Sequence, residues 1–328
     1  TVFNAMEAAQ AGCVAGLTRT FNPLSHAAII LRGAGIPVAY GLKTLEPFRD
    51  GRIAAADGVK RQVVLDPPAG FAPGAITQQI PREWEQEIQY GDGKFHVLLN
   101  CCGSGDIPAG KPEIGLLRSE YFYESLGRLP NEEELTREYE KIAENSAAAA
   151  IRLLDAGADK PVKGFPESFH SAGEHGIRLL LNHSEILRTQ LRAILRASVK
   201  GNVRMLIPMV RTMEDLTAVR EMIAKCDLAL TESGIAHRSA LPLGVMLETP
   251  EAVCLADSFA AAADFGAVGT NDLIRSGGAA DLFPSLRICA EGFQKAGKPL
   301  CVCGELAACE SGLREIIQAG IRSVSVPA

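Results

Sequence analysis

No uninterrupted apolar run in this 328-residue sequence reaches the roughly 20 residues that a membrane-spanning helix needs. Positive charge is not in excess either. Lys and Arg total 33 against 39 Asp and Glu, a net charge of −6. That argues against a nucleic-acid role driven by a basic surface. The opening residues TVFNAMEAAQ lack the basic flank of a signal peptide. The nine cysteines are odd in number and scattered, which suits reduced thiols in a cytoplasm better than a disulfide framework. Most of them read as small buried apolar residues. The CxC pair, Cys301 and Cys303 in CVCGELA, lacks further Cys or His at metal-ligand spacing. The expectation is a cytoplasmic protein without membrane or nucleic-acid partners.

The hydrophobic fraction is 47%, enough for a sizeable core, and the length suggests two domains or a large barrel with an appendage. Residues 1–70 hold short apolar strands between glycine turns (AAIILRG, IPVAYG, GRIAAADG, RQVVLDP) and read as a small α/β domain. Residues 71–94 are rich in Pro, Gly and charge and read as a linker with one short helix. From residue 95 the pattern changes. Eight apolar runs follow: FHVLLN, EIGLLR, AAAIRLLD, NVRMLIPMV, PLGVMLE, DFGAVG, KPLCVCGE and RSVSVPA. Amphipathic helical segments separate them, with Ser184 and Thr212 as candidate N-caps. Strands apolar on both faces, alternating with helices, predict parallel strands. Eight of them predict a (β/α)8 TIM barrel over 95–328, lacking its last helix.

Such barrels carry their sites at the C-terminal strand ends. The polar residues there are Asn100, Arg118, Arg152 with Asp155, Glu248, Asn271, Asp272, Cys303 and Glu305. Arginine forks bind carboxylate and phosphate bidentately. Two carboxylates suit Mg²⁺, which fills its remaining positions with water and substrate oxygens. The set fits a small phosphorylated carboxylic acid. Each residue also has a structural reading. Arg118 and Arg152 can pair with rim acids. Glu248 can cap the helix opened by Pro250. Asn271 and Asp272 can be turn residues.

IGLLRSE, IRLLDAGADKP, QLRAILRAS, VMLETPEAV, VGTNDL and CGELA resemble, in that order, the motifs of enzyme I of the phosphoenolpyruvate-dependent sugar phosphotransferase system. LSHAAIILRGAGIPVAYG is similar to the phosphohistidine motif of the same superfamily. The resemblance implies a phosphohistidine domain over 1–70 and a phosphoenolpyruvate-binding barrel. His26 would accept the phosphoryl group. Mg²⁺ would sit on Glu248 and Asp272. Arg118, Arg152 and Arg178 would hold the phosphate, Asn271 would hydrogen-bond the substrate, and Cys303 would protonate the enolate as general acid. Pyruvate would leave, and an HPr-like phosphocarrier would take the phosphoryl group. The family also implies a homodimer.

The sequence departs from the family pattern in places. Phe21, Asn22 and Leu24 stand where two glycines and a threonine are usual. Glu174 and His175 replace a tryptophan–arginine pair. The loop after GTNDL is short, and Arg275 is out of step with a substrate-binding arginine. Residues 1–25 are too few for the helical domain that docks HPr. These departures favour, as an alternative, a weakened or inactive enzyme I-like module serving regulation. A Mg²⁺-enolate lyase on the same barrel is a third reading.

Overall fold

The structure is a computed structural model. It describes residues 93–157, 174–277, 281–308 and 310–327, together with 87–90, Phe165, Phe169 and short pieces between 13 and 71. The chain divides into two units, Thr1–Ile80 and Pro81–Ala328. In the first, Gly16–Leu17 pairs in parallel with Val38–Ala39. Ala54–Asp57 pairs antiparallel with Gln62–Leu65, and an Arg52–Asp66 ion pair closes this hairpin. Ser25 and His26 lie outside the described residues.

The second unit is a closed ring of eight parallel strands: β1 (Gly93–Cys101), β2 (Glu113–Arg118), β3 (Ala148–Arg152), β4 (Val203–Ile207), β5 (Leu243–Leu247), β6 (Phe265–Gly269), β7 (Leu300–Cys303) and β8 (Ser323–Pro327). Each pairs with the next, and β8 returns to β1 from Ser323↔His96 to Pro327↔Asn100. Each of the eight apolar runs singled out from residue 95 onward forms one of these strands, so the fold is the (β/α)8 TIM barrel. Strand alternation sorts side chains into two layers. Leu99, Leu117, Ile151, Ile207, Leu247, Val268, Val302 and Val324 face outward into the main core shared with the helices. Leu98, Leu116, Ala150, Leu206, Met246, Phe265, Ala267, Cys301 and Cys303 fill the interior.

Two expectations are corrected. Within the segment 71–94 read as linker, Glu87–Tyr90 is a strand paired antiparallel with the start of β1. The sequence EIQY-GD-GKFH is a hairpin pattern with a Gly-Asp centre. Lys94 Nζ meets Glu87 across it at 3.3 Å, and Ile88 packs on the core. Ser184 is not an N-cap but the first residue of its helix, Ser184–Ala197. Helix Gly176–Asn182 runs almost directly into it. His183 alone separates them, its N–H still bonded to Leu179 O at 3.0 Å. Thr212 does stand before helix Met213–Glu232, where Asp215 Oδ2 accepts its N–H at 3.0 Å.

Asn100 serves the ring closure. Its Nδ2 donates to Ser325 O at 3.2 Å, and Ser325 Oγ donates to its Oδ1. The first and last strands are thereby joined by side chains as well as by the ladder.

Candidate active site

The parallel ring puts the C-terminal ends of all eight strands on one rim. Arg118 ends β2, Arg152 ends β3, Glu248 follows β5, Asn271 and Asp272 follow β6, and Cys303 ends β7. Their fields overlap. Burial alone would weaken the hold of Arg152 on its proton. The carboxylates of Glu120, Asp155, Glu248 and Asp272 outweigh it and raise its pKa. Arg118 and Arg152 both act on the Cys303 thiol, and Arg118 feels Arg152 and Glu120. Glu248, Asp272, Arg118, Arg152 and Cys303 therefore form one electrostatic cluster.

The local structure shows how each is held. Arg152 is 5% exposed. It pairs with Glu120 at 2.5 Å and Asp155 at 3.1 Å. The backbone at the end of β3 is fixed by Gln190, which is fully buried on helix Ser184–Ala197. Its Oε1 accepts Leu154 N–H at 2.9 Å, and its Nε2 donates to Tyr139 Oη at 3.0 Å and Ser119 Oγ at 3.1 Å. Arg118 stands differently: its Nε is buried and has no hydrogen-bond partner among the described residues. The Nε of Arg152 and Oε2 of Glu120 share that condition. A buried unsatisfied donor costs about 1–3 kcal/mol, so two inward guanidinium N–H groups favour an anionic guest.

Glu248 is 1% exposed and does not cap the following helix. Thr249 does so, accepting Ala252 N–H at 3.1 Å and donating to Val210 O at 2.9 Å. Glu248 Oε1 instead accepts Met209 N–H at 2.7 Å, and Met209 holds the unusual φ of +53°. Gly269 makes room for the carboxylate, since a Cβ there would lie 2.5 Å from Glu248 Oε2. Asn271 and Asp272 open helix Thr270–Gly277. Thr270 Oγ1 donates to Cys303 O at 3.1 Å, tying that helix to the end of β7. Gly304, with φ +115°, lets the chain pass Thr270 and Asn271 closely. Asp272 pairs with Arg275 at 3.1 Å.

Cys301 and Cys303 point into the barrel interior with sulfurs 3.8 Å apart. Cys303 is held well above the usual thiol range by Cys301 first and by burial next. It therefore keeps its proton, as a general acid must.

Not every sequence candidate joins this group. Arg178 is turned to Asp215 at 3.4 Å, the acid at the start of helix Met213–Glu232. His175 forms an isolated bridge with Gly157 beyond β3. Three side chains that the sequence reading left without a role belong to the rim. Glu120 lies two residues past Arg118. Cys102 is pushed up to about 12 by burial. Glu124 is pushed up to about 7 by burial and then by Glu120. An acid two residues after a strand-end arginine, as in LRSE, was the available signal for Glu120.

Among the described residues no three His, Cys, Asp or Glu side chains gather as a metal cage. The Glu248–Asp272 pair fits a cation of another kind. Both are hard carboxylates, both act on Arg152, and Mg²⁺ takes most of its shell from water and substrate. Among the described residues no helix is long and apolar enough to cross a membrane.

The chain is similar to several known proteins. A phosphoenolpyruvate-protein phosphotransferase of Priestia megaterium is 29% identical over 340 residues, covering 93% of this chain and 59% of its own. One from Bacillus sp. (strain S) is 33% identical over 281 residues, covering 78% and 48%. That of Bacillus subtilis (strain 168) is 30% identical over 342 residues, covering 93% and 60%. The chain thus spans 48 to 60% of the length of these relatives. Residues 105–282 match the PEP-binding domain of the PEP-utilising enzymes. That segment carries Arg118, Arg152, Glu248, Asn271 and Asp272, and with over half of the sequence inside the match the chain belongs to the PEP-utilising enzyme family.

Proposed function

We propose that this chain is an enzyme I-like phosphotransferase that takes the phosphoryl group of phosphoenolpyruvate onto His26 and passes it to a phosphocarrier protein. The supporting observation is the guanidinium pair of Arg118, whose Nε is buried, and the buried Arg152, set beside two carboxylates and a protonated thiol.

Phosphoenolpyruvate would enter the rim with its phosphate against Arg118 and Arg152, whose unsatisfied N–H groups match its oxygens. Guanidinium charge placed there before reaction lowers the cost of charge spreading over the transferring phosphoryl group. Mg²⁺ on Glu248 and Asp272 would supply electrostatic clamping of substrate oxygens. Asn271 would hydrogen-bond the substrate and fix its orientation. Loss of the phosphoryl group leaves the enolate of pyruvate. Cys303 would give its proton to the methylene carbon, yielding pyruvate and a thiolate that solvent reprotonates. In this reading His26 is the nucleophile, acting through a neutral imidazole nitrogen. The protein would work in the cytoplasm and as a homodimer, as the family implies.

A second reading, a weakened module that binds the acid without turnover, is favoured by two observations. Glu120 and Asp155 already occupy Arg152, and Arg178 is engaged by Asp215. Incubation with phosphoenolpyruvate labelled in its phosphate separates the two. Acid-labile label on the protein that disappears in His26→Ala supports transfer. Binding without label supports the module.

A further inference from the structure

Arg118 and Arg152 pair in register on the last rung of the β2–β3 ladder. Like charges on one rung repel, yet both guanidinium groups are wanted for one phosphate. The ladder beneath them is irregular. Glu113↔Ala148 and Ile114↔Ala149 are followed by Leu117↔Ile151, so Gly115 and Leu116 stand opposite Ala150 alone. A bulge of this kind re-aims the side chains beyond it. Glu120 binds Arg152 at 2.5 Å, whereas the Nε of Arg118 has no partner among the described residues. A tie beyond the ladder is needed to hold Arg118 in step with Arg152.

Gln190 supplies one. The Leu154 N–H can only donate, so the Gln190 atom 2.9 Å from it is Oε1, and the Nε2 hydrogens turn the other way. They reach Ser119 Oγ at 3.1 Å and Tyr139 Oη at 3.0 Å, with Arg152 O at 3.5 Å. Ser119 directly follows Arg118, and its hydroxyl does not cap helix Glu120–Leu126. Leu154 lies two residues after Arg152. One neutral side chain therefore spans the two strand ends just past the rung that carries the arginines, and adds no charge there. Its base is firm. Arg192 and Arg196 of the same helix pair with Glu132 at 2.6 and 2.7 Å. Glu132 opens helix Glu132–Asn145, which carries Tyr139.

We infer that Gln190 is a positioning residue for phosphate binding: it clamps Ser119 to Leu154 and so sets the spacing of the Arg118 and Arg152 guanidinium groups. The inference deepens the phosphate-site reading of this rim and rests on it. Without the clamp, the bulged end of β2 is free to shift under the repulsion between the two cations, and one phosphate no longer meets both.

The test is the affinity of the full chain for phosphoenolpyruvate with Mg²⁺, read by titration calorimetry. Gln190→Met removes both ends of the clamp at similar side-chain volume. Ser119→Ala cuts only the β2 end. Tyr139→Phe removes a bond that plays no part in the span. The Kd rises about tenfold in Gln190→Met and in Ser119→Ala, the scale of one charge-assisted hydrogen bond put out of line. It stays within about twofold of the parent in Tyr139→Phe, the ordinary error of additivity. In an Arg118→Met background, either change to the clamp adds less than about twofold, because no pair is left to space. A core defect by itself lowers the folded fraction and leaves the Kd of the folded protein unmoved. An unchanged Kd in Gln190→Met and Ser119→Ala therefore overturns the inference, whatever their melting temperatures. So does a tenfold rise that persists in the Arg118→Met background. Ser119→Ala, which deletes one oxygen, decides alone if Gln190→Met does not fold. A parent that binds no phosphoenolpyruvate overturns the phosphate-site reading, and this inference with it.

Discussion

Replacing Arg152 with methionine takes a guanidinium away from two buried carboxylates. Arg152 is 6% exposed by its side chain, Glu120 is 4% and Asp155 is 1%, with contacts of 2.5 and 3.1 Å. Breaking a buried ion pair from one side costs about 3–5 kcal/mol, because the remaining charge has lost its partner. For a barrel of this size that corresponds to a fall in melting temperature of roughly 10 °C. Arg118 provides the control. It ends the neighbouring strand and shares the same rim, but its Nε bonds to nothing among the described residues. Arg118→Met should lose well under half as much stability while damaging phosphate binding at least as severely. Adding Glu120→Gln to Arg152→Met neutralises one stranded carboxylate and should recover part of the loss, as expected for residues in contact. Urea denaturation of the four variants and the parent measures this. Equal losses for Arg118→Met and Arg152→Met, or no recovery in the double variant, would refute the claim that Arg152 is a structural keystone as well as a binding group.

Glu124 gives a pH signature. Burial and then Glu120 raise it to about 7, against about 4.3 in an unfolded chain. The folded state holds that proton more tightly, so its contribution to stability falls as pH rises through this window and is fully lost above about pH 7. Glu124→Gln should match the parent near pH 4 and exceed it near pH 8; parallel melting curves across pH would contradict this. Gly304→Ala forces a Cβ onto a backbone with φ +115°, into Thr270 Oγ1 and to 3.1 Å from Asn271 Oδ1. A loss of about 1–3 kcal/mol and slower label transfer are expected, and a variant equal to the parent would show that the tight passage is unimportant.

The barrel was legible because parallel strands buried on both faces leave unbroken apolar runs. Leu243–Leu247 and Phe265–Gly269 are buried at every position, and eight such runs alternating with helices are the pattern of a closed parallel ring. Glu87–Tyr90 was missed because an edge strand keeps one polar face. Glu, Ile, Gln and Tyr in alternation look like linker until the partner arm is known. The arginines, Glu248, Asp272 and Cys303 stood out by falling at strand ends. Their partners did not. Gln190 is one polar residue on an amphipathic helix, and only the fold shows that it anchors Leu154. The Met209 N–H holds Glu248 through backbone geometry, which leaves no mark on residue type. Arg178 was legible as a charge but not in its direction, because Asp215 reaches it from another helix.

The central claim is that one rim of the barrel holds phosphoenolpyruvate by the guanidinium groups of Arg118 and Arg152. Phosphoryl-label uptake from phosphoenolpyruvate with Mg²⁺ tests it most directly in the parent and in Arg118→Met, the variant expected to stay folded. The account predicts acid-labile labelling of the parent and a rate lower by roughly 10²–10³ in Arg118→Met, the scale of one lost transition-state donor. Equal labelling of the two proteins would contradict it.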